Sequence, residues 1–205
     1  DDKGNPGPDY AWGWGLMNTE RAAQIIDAEA SQPLLGRIRE DVITGNGTLS
    51  FVAVANGNEP LVATICWTDP AATTKSGVDN PRPDLVNDLD LRVRRLADDQ
   101  VSFPWTLDPA TPLAPAVPGD NVVDNVEQVL IPSPTPGATY VIEITHKGTL
   151  TNNSQAVSLV VTGGDDGDVV FASAEQLGTG CGGVLVPDPA HGAAAPPRHG
   201  EAITV

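Results

Sequence analysis

The sequence predicts a mainly β protein: an antiparallel, jelly-roll-like β-sandwich preceded by one short α-helix. Three observations lead there. Apolar residues alternate with polar ones in several separate short runs, the period of strands with one wet face. Turn formers are frequent, with 21 Gly and 19 Pro in 205 residues, which favours many short strands over long helices. Hydrophobic residues make up 40% of the chain but aromatics only 4%, so the core must be built of Val, Leu, Ile and Ala. That content supports one substantial domain with attached pieces.

The elements follow in chain order. Residues 1–15 are polar and Gly/Pro-rich and end in Tyr10-Ala11-Trp12-Gly13-Trp14-Gly15, a loop whose indoles need something to pack on. A helix follows over about 18–30. Asn18 or Thr19 can accept hydrogen bonds from its first free amides, and Glu20 suits the positive end of its dipole. Ala22, Ile25, Ile26 and Glu29 recur at helical spacing, and Pro33 marks the stop. From Leu34 the period becomes two. Residues 61, 63, 65 and 67 share one face of a strand ending at Trp67. Leu89, Leu91 and Val93 oppose Asp88, Asp90, Arg92 and Arg94. Further alternation runs through 140–145 and 157–161, with weaker runs at 48–54, 126–131 and 168–172. Asn46-Gly47 and Asn56-Gly57 are turn signals. Segments 68–86 and 102–124 must be surface loops, of a length usually tied to binding or ordered by ligands. The expected organisation is a terminal loop and helix over 1–33, a sandwich over 34–164, and a linker or the start of a further module over 165–205.

The formal net charge is -16, with 27 acidic against 11 basic residues. Such a surface repels nucleic-acid phosphates and anionic membranes. It fits either a solvated acidic exterior or clustered ligands for a cation. Cys66 and Cys181 could pair, but two cysteines do not fix the redox compartment. No stretch is long and apolar enough to span a membrane. The chain opens Asp1-Asp2-Lys3 without a signal segment and reads as a piece cut from a longer protein, so secretion is left open.

Catalytic candidates are sparse. His146 ends a strand, while His191 and His199 lie in the low-complexity tail. Ser154 and Ser158 stand in a polar loop and a strand, not in a nucleophile turn, so no Ser-His-Asp set is visible. The acidic residues are more informative. Asp69 ends a strand, Asn87, Asp88 and Asp90 begin another, and Asp124 and Glu127 flank a third. Ca²⁺ takes six to eight oxygen ligands, which strand ends and long loops can supply from distant segments. Asp88 and Asp90 lie on one face, roughly 7 Å apart; the alternative is that they cap turns and face water. Trp105, in the Pro-rich loop, is the candidate exposed aromatic for a sugar or protein ligand, whereas Trp67 is in phase with the core and Trp12 and Trp14 suit a domain junction.

Two blocks carry a family resemblance. Trp14-Gly15-Leu16-Met17-Asn18-Thr19-Glu20-Arg21-Ala22-Ala23 resembles the Gly-rich turn and last helix of subtilisin-like catalytic domains. Ala63-Thr64-Ile65-Cys66-Trp67-Thr68-Asp69-Pro70, Leu85-Val86-Asn87-Asp88-Leu89-Asp90-Leu91 and Asp124-Asn125-Val126-Glu127 resemble, in order and spacing, the C-terminal sandwich of the oxidatively stable alkaline subtilases. Gly137 to Ile144 and Gln155 to Leu159 continue the likeness, which covers about residues 8–162 and leaves out the tail. It implies a secreted serine endopeptidase as parent, with this sandwich packed on the catalytic domain, bound Ca²⁺ and a stabilising role. It places the family's aspartate, histidine and serine before Asp1. The expected calcium ligands are then Asp69, Asn87, Asp88, Asp90, Asp124 and Glu127. The expected partners are the catalytic domain in the same polypeptide and the parent enzyme's protein substrate. The acidic, Pro-rich loop 104–120 departs from the family pattern. The competing expectation is a module that recruits a glycan or protein substrate through Trp105.

Overall fold

The computed structural model describes residues 4–31, 37–74, 76–77 and 82–164, and the backbone of 170–171. Helix α1 spans Thr19–Ser31. The strands are β1 Ile38–Thr44, β2 Leu49–Val54, β3 Leu61–Cys66, β4 Leu89–Arg95, β5 Val101–Ser102, β6 Trp105–Thr106, β7 Val117–Pro118, β8 Val126–Ile131, β9 Thr139–His146, β10 Ser154–Thr162 and β11 Val170–Phe171. They form an antiparallel two-sheet sandwich. One sheet has the order β1-β10-β3-β8 and the other β11-β2-β9-β4-β5, while β6 and β7 make a small separate hairpin. The chain changes sheets at nearly every connection, so neighbours within a sheet come from distant parts of the sequence.

The alternation explains the layering. Ile65, Leu89, Leu91, Ile142, Ile144 and Leu159 point inward and are essentially inaccessible to water. They meet Ile43, Phe51, Val129 and Val157 in one aliphatic core between the sheets. Burying such side chains contributes about 1.5–3 kcal/mol each before chain entropy is set against it. Trp67 is buried as its phase demands, and its indole N–H donates to the Asn87 carbonyl at 3.0 Å.

Observed strand bounds lie within a few residues of those expected. One strand, β1, carries no clear alternation in the sequence, because Arg39 and Asp41 occupy its inward-phased positions near the sheet edge. The 102–124 stretch holds more structure than a surface loop. Thr106 faces Val117 in the β6–β7 ladder, and the Thr106 hydroxyl donates to the Val117 carbonyl at 3.0 Å. The tail after 164, Cys181 included, falls outside the described residues apart from the β11 backbone; Cys66 is exposed.

Helix α1 begins as its cap residue predicts: the Asn18 carboxamide oxygen accepts the Arg21 amide at 2.9 Å. It buries no residue. Ile25 and Ala28 turn toward Asn56, Thr162 and Gly163 across a shallow groove, whereas Ile26 points away and is 60% exposed. The ties to the sandwich are polar: Arg21 pairs with Glu59 at 2.6 Å, and Glu29 accepts the Arg37 amide at 2.9 Å.

Gly163, at the end of β10, has φ +84, the left-handed region that side-chain-bearing residues avoid. A Cβ there would overlap the carbonyl of Pro60. Gly163→Ala is therefore expected to lower the unfolding free energy by about 3 kcal/mol, read as a lower urea midpoint with unchanged far-UV circular dichroism before the transition.

Candidate functional site

The six candidate ligands divide into three places. The first is a buried polar joint. The Asp69 carboxylate accepts the amides of Val86 and Asn87 at 2.7 and 2.8 Å, closing the base of the 69–86 segment. The Asn87 side chain, 1% exposed, donates to Gln155 Oε1 at 2.8 Å and accepts the Thr151 amide at 2.8 Å. Gln155 Nε2 in turn donates to the carbonyls of Thr68 and Ala156. Asp69 and Asn87 are thus committed to backbone and amide partners. They join the end of β3, the start of β4 and the start of β10.

Asp124 stands apart. It accepts the Asn121 Nδ2 donor at 2.9 Å within the 121–124 turn, where the buried Asn121 also accepts the amides of Val123 and Asp124 through its Oδ1. Nothing brings it to the other candidates.

The third place gathers Asp88, Asp90 and Glu127, and adds Asp120, Arg92 and Lys147. Strand β4 presents Asp90 and Arg92 on its outer face, opposite the buried Leu89 and Leu91. Lys147 follows β9, the neighbour of β4, and its amide donates to the Asp88 carbonyl at 2.8 Å. That register places Lys147 Nζ 2.8 Å from Asp90 Oδ1, 3.1 Å from Asp120 Oδ1 and 3.2 Å from Asp88 Oδ2. Arg92 Nη2 donates to Asp90 Oδ1 at 2.9 Å and also to Asp120 Oδ1, while its guanidinium lies over the Phe103 ring, 4.8 Å from the centroid. An arginine held by two carboxylates and an aromatic face is a fixed charge rather than a wandering one.

Glu127 reaches this group from the opposite sheet. It is fully buried, and its Oε2 accepts the Leu91 amide at 2.6 Å. Its Oε1 and the Asp88 Oδ1 are buried without a hydrogen-bond partner among the described residues.

The charges respond to this setting. Burial pushes the Glu127 carboxyl from its usual 4.5 up to about 8, against the Leu91 amide, which favours the anion. Burial also raises Asp88, with Lys147 working the other way. Burial would raise Asp120, but the bonds it accepts from Lys147 and Arg92 work the other way, and its carboxyl stays below the usual range. For Lys147 burial disfavours the ammonium, but the bonds to Asp90 and Asp120 dominate and raise its pKa.

As placed, the cluster's carboxylates bond basic side chains. The ammonium of Lys147 lies where the three aspartates converge, and Arg92 takes the remaining reach of Asp90 and Asp120. Asp69, Asn87 and Asp124 are spent elsewhere. Among the described residues no group of three or more His, Cys, Asp or Glu side chains is arranged to hold a metal ion. Sequence reasoning overlooked Lys147 and Gln155. Lys147 is separated from Asp90 by 57 residues, and only the β4–β9 register joins them. Arg92, two residues after Asp90 on the same face, was the visible sign that these carboxylates have cations of their own.

Trp105 is half-buried, with Gly7 packed on its ring. It forms one wall of a groove of about 490 Å³ over the outer face of β3 and β8, whose other lining residues are Gly7, Trp14, Thr64, Val126, Gln128 and Leu130. Among the described residues, no charged side chain lines it. The Trp105 indole nitrogen is buried without an acceptor among the described residues.

Proton linkage at Glu127 has a definite sign. The folded state keeps a proton that the unfolded chain releases above 4.5, so this group's contribution is full at lower pH and is lost as pH rises through about 8. Glu127→Gln, which can still accept the Leu91 amide, is expected to flatten the fall in stability between pH 5 and pH 8. Urea midpoints at the two pH values check this; an unchanged slope would count against a buried neutral carboxyl.

No protein family model matches this chain, and no curated protein does. Among solved structures, the crystal structure of the Yersinia pseudotuberculosis-derived mitogen is similar at 16% identity, over 65% of this chain and 92% of that one. Its TM-score of 0.36 is too low to carry an argument.

Proposed function

We propose that this chain is the closing loop and helix of a subtilisin-like serine protease domain, followed by that enzyme's accessory jelly-roll sandwich, whose work is to stabilise the catalytic domain. The observation that carries this is the apolar face left open by the N-terminal segment. Tyr10, Trp12, Leu16, Met17 and Ile26 are 53%, 63%, 60%, 83% and 60% exposed. Side chains of that size, clustered within 17 residues of a chain of net charge -16, suit burial against a partner better than solvent. A catalytic domain joined to the same segment is the partner that the family resemblance supplies. The loop is also pre-shaped: Asp9 accepts the amides of Trp12, Ala11 and Asn5, and the Trp12 amide contributes most to holding its carboxyl below the usual range. The alternation of the chain between sheets supports the jelly-roll wiring. The stabilising role needs no metal at the acidic cluster, where Lys147 already stands among the carboxylates.

Sequencing the coding region upstream of Asp1 tests the parentage; a Gly-Thr-Ser nucleophile turn within a subtilisin-like domain is expected, and an unrelated domain there would overturn it. Acrylamide quenching gives a second readout. Trp12 and Trp14 should quench strongly in the isolated chain and become protected in the longer protein.

A second role is favoured by the Trp14–Trp105 groove. Indole walls, the Thr64 hydroxyl, the Gln128 amide and the absence of charge suit a neutral polyhydroxylated ligand. Recruitment of a glycan predicts retention on an insoluble polysaccharide matrix, lost in Trp105→Ala; passage through every such matrix by the parent chain would exclude it.

A further inference from the structure

We propose that Asn46 is a self-modifying residue: the Gly47 backbone nitrogen attacks its carboxamide, and the chain thereby acquires aspartyl and isoaspartyl forms at this corner, while the matching Asn56-Gly57 pair is protected by the fold.

The chain carries two Asn-Gly pairs, Asn46-Gly47 and Asn56-Gly57. Asparagine is a labile side chain, and a following glycine leaves its own nitrogen open to approach because it has no Cβ. The step needs no reagent but water. The Gly47 nitrogen gives up its proton and bonds to Asn46 Cγ. The Cγ–Nδ2 bond breaks, and ammonia leaves with that proton. Water then opens the cyclic imide at one carbonyl or the other, giving Asp or isoaspartate at 46.

The two pairs differ in what holds the carboxamide. Asn56 Oδ1 accepts the amides of Asn58 and Glu59 at 2.9 and 3.4 Å. Its Nδ2 donates to the Gly164 carbonyl at 3.3 Å and to Glu59 Oε1 at 3.5 Å. Gly57 is packed against Pro136 so closely that even a Cβ would overlap the ring. The Asn56 carboxamide cannot turn over the Gly57 nitrogen until these contacts open together.

Asn46 is free of such ties. Residues 44–47 form the corner that carries the chain from β1 in one sheet to β2 in the other. Gly45 anchors one side of it, at φ +58, with its amide donating to the Asn153 carbonyl at 3.0 Å. Asn46, Gly47 and Thr48 are exposed, and the Asn46 carboxamide is unbonded among the described residues. The attacking nitrogen is held by one bond, from the Gly47 amide to the Thr44 carbonyl at 2.9 Å. That bond lies outside both strand ladders, in a turn open to water.

Peptide mapping by mass spectrometry tests this, with chromatographic separation of aspartyl from isoaspartyl peptides. The full chain is held in mildly alkaline buffer below its unfolding transition, and in parallel in concentrated urea. In the folded chain Asn46 should convert on the order of tenfold or more faster than Asn56, whose reaction must wait for a local opening. In urea the two should convert at similar rates, because the contacts around Asn56 are gone. Asn46→Gln should remove the product at 46 and leave the slow reaction at Asn56 unchanged. The proposal is overturned if Asn46 stays intact in the folded chain, if Asn56 converts as fast there, or if Asn56 stays slow in urea.

Discussion

The amide of Leu91 has no strand beside it. Strand β5 pairs only with Val93 and Arg94, so the edge of β4 is open at the buried Leu91. A buried backbone donor without an acceptor destabilises by about 1–3 kcal/mol. Here the acceptor is the Glu127 carboxylate, carried across from β8 in the other sheet. One side chain thereby closes an edge, ties the sheets together and brings a titratable group into the core. Much of the site's character follows from that substitution of a carboxylate for a strand.

An ionised carboxyl in such a place is strongly disfavoured, which is why Glu127 holds its proton to higher pH. Asp120 takes the opposite course, held below the usual carboxylate range although burial works against it. Lys147 and Arg92 are shared among Asp88, Asp90 and Asp120. Arrangements of this kind give modest net stability, because desolvation offsets much of the attraction. They also join the outer face of β4, the residue after β9 and the segment before β8. The chain carries a net charge of -16, yet two of its 11 basic residues are drawn into this cluster.

The N-terminal segment follows a different physics. Its loop is ordered by Asp9 and its helix by Asn18, both local devices, but neither buries the large apolar side chains beside it. Local capping can shape a segment that has no core of its own. It cannot cover Trp12 or Met17, and the polar ties Arg21–Glu59 and Glu29–Arg37 do not either. The sandwich has an aliphatic core of its own, whereas the segment in front of it exposes large apolar side chains.

The sequence by itself determined the strands and the faces they bury. Period-two runs such as Leu89-x-Leu91-x-Val93 specify which side turns inward whatever the partner strand, and the cap at Asn18 and the phase of Trp67 are local in the same way. Strand β1 escaped notice because Arg39 and Asp41 break its alternation. The pairing of distant strands was decided only in the tertiary structure. Asp69, Asn87, Asp88, Asp90, Asp124 and Glu127 are chemically alike in the sequence, each an oxygen donor near a strand end. Folding sends Asp69 and Asn87 to backbone and amide partners, leaves Asp124 at a turn, sets Asp88 and Asp90 against Lys147, and turns Glu127 to the Leu91 amide. A cation 57 residues away from Asp90 enters that group through the β4–β9 register alone, and register between strands far apart in the chain is a property of packing, not of any local pattern of residues.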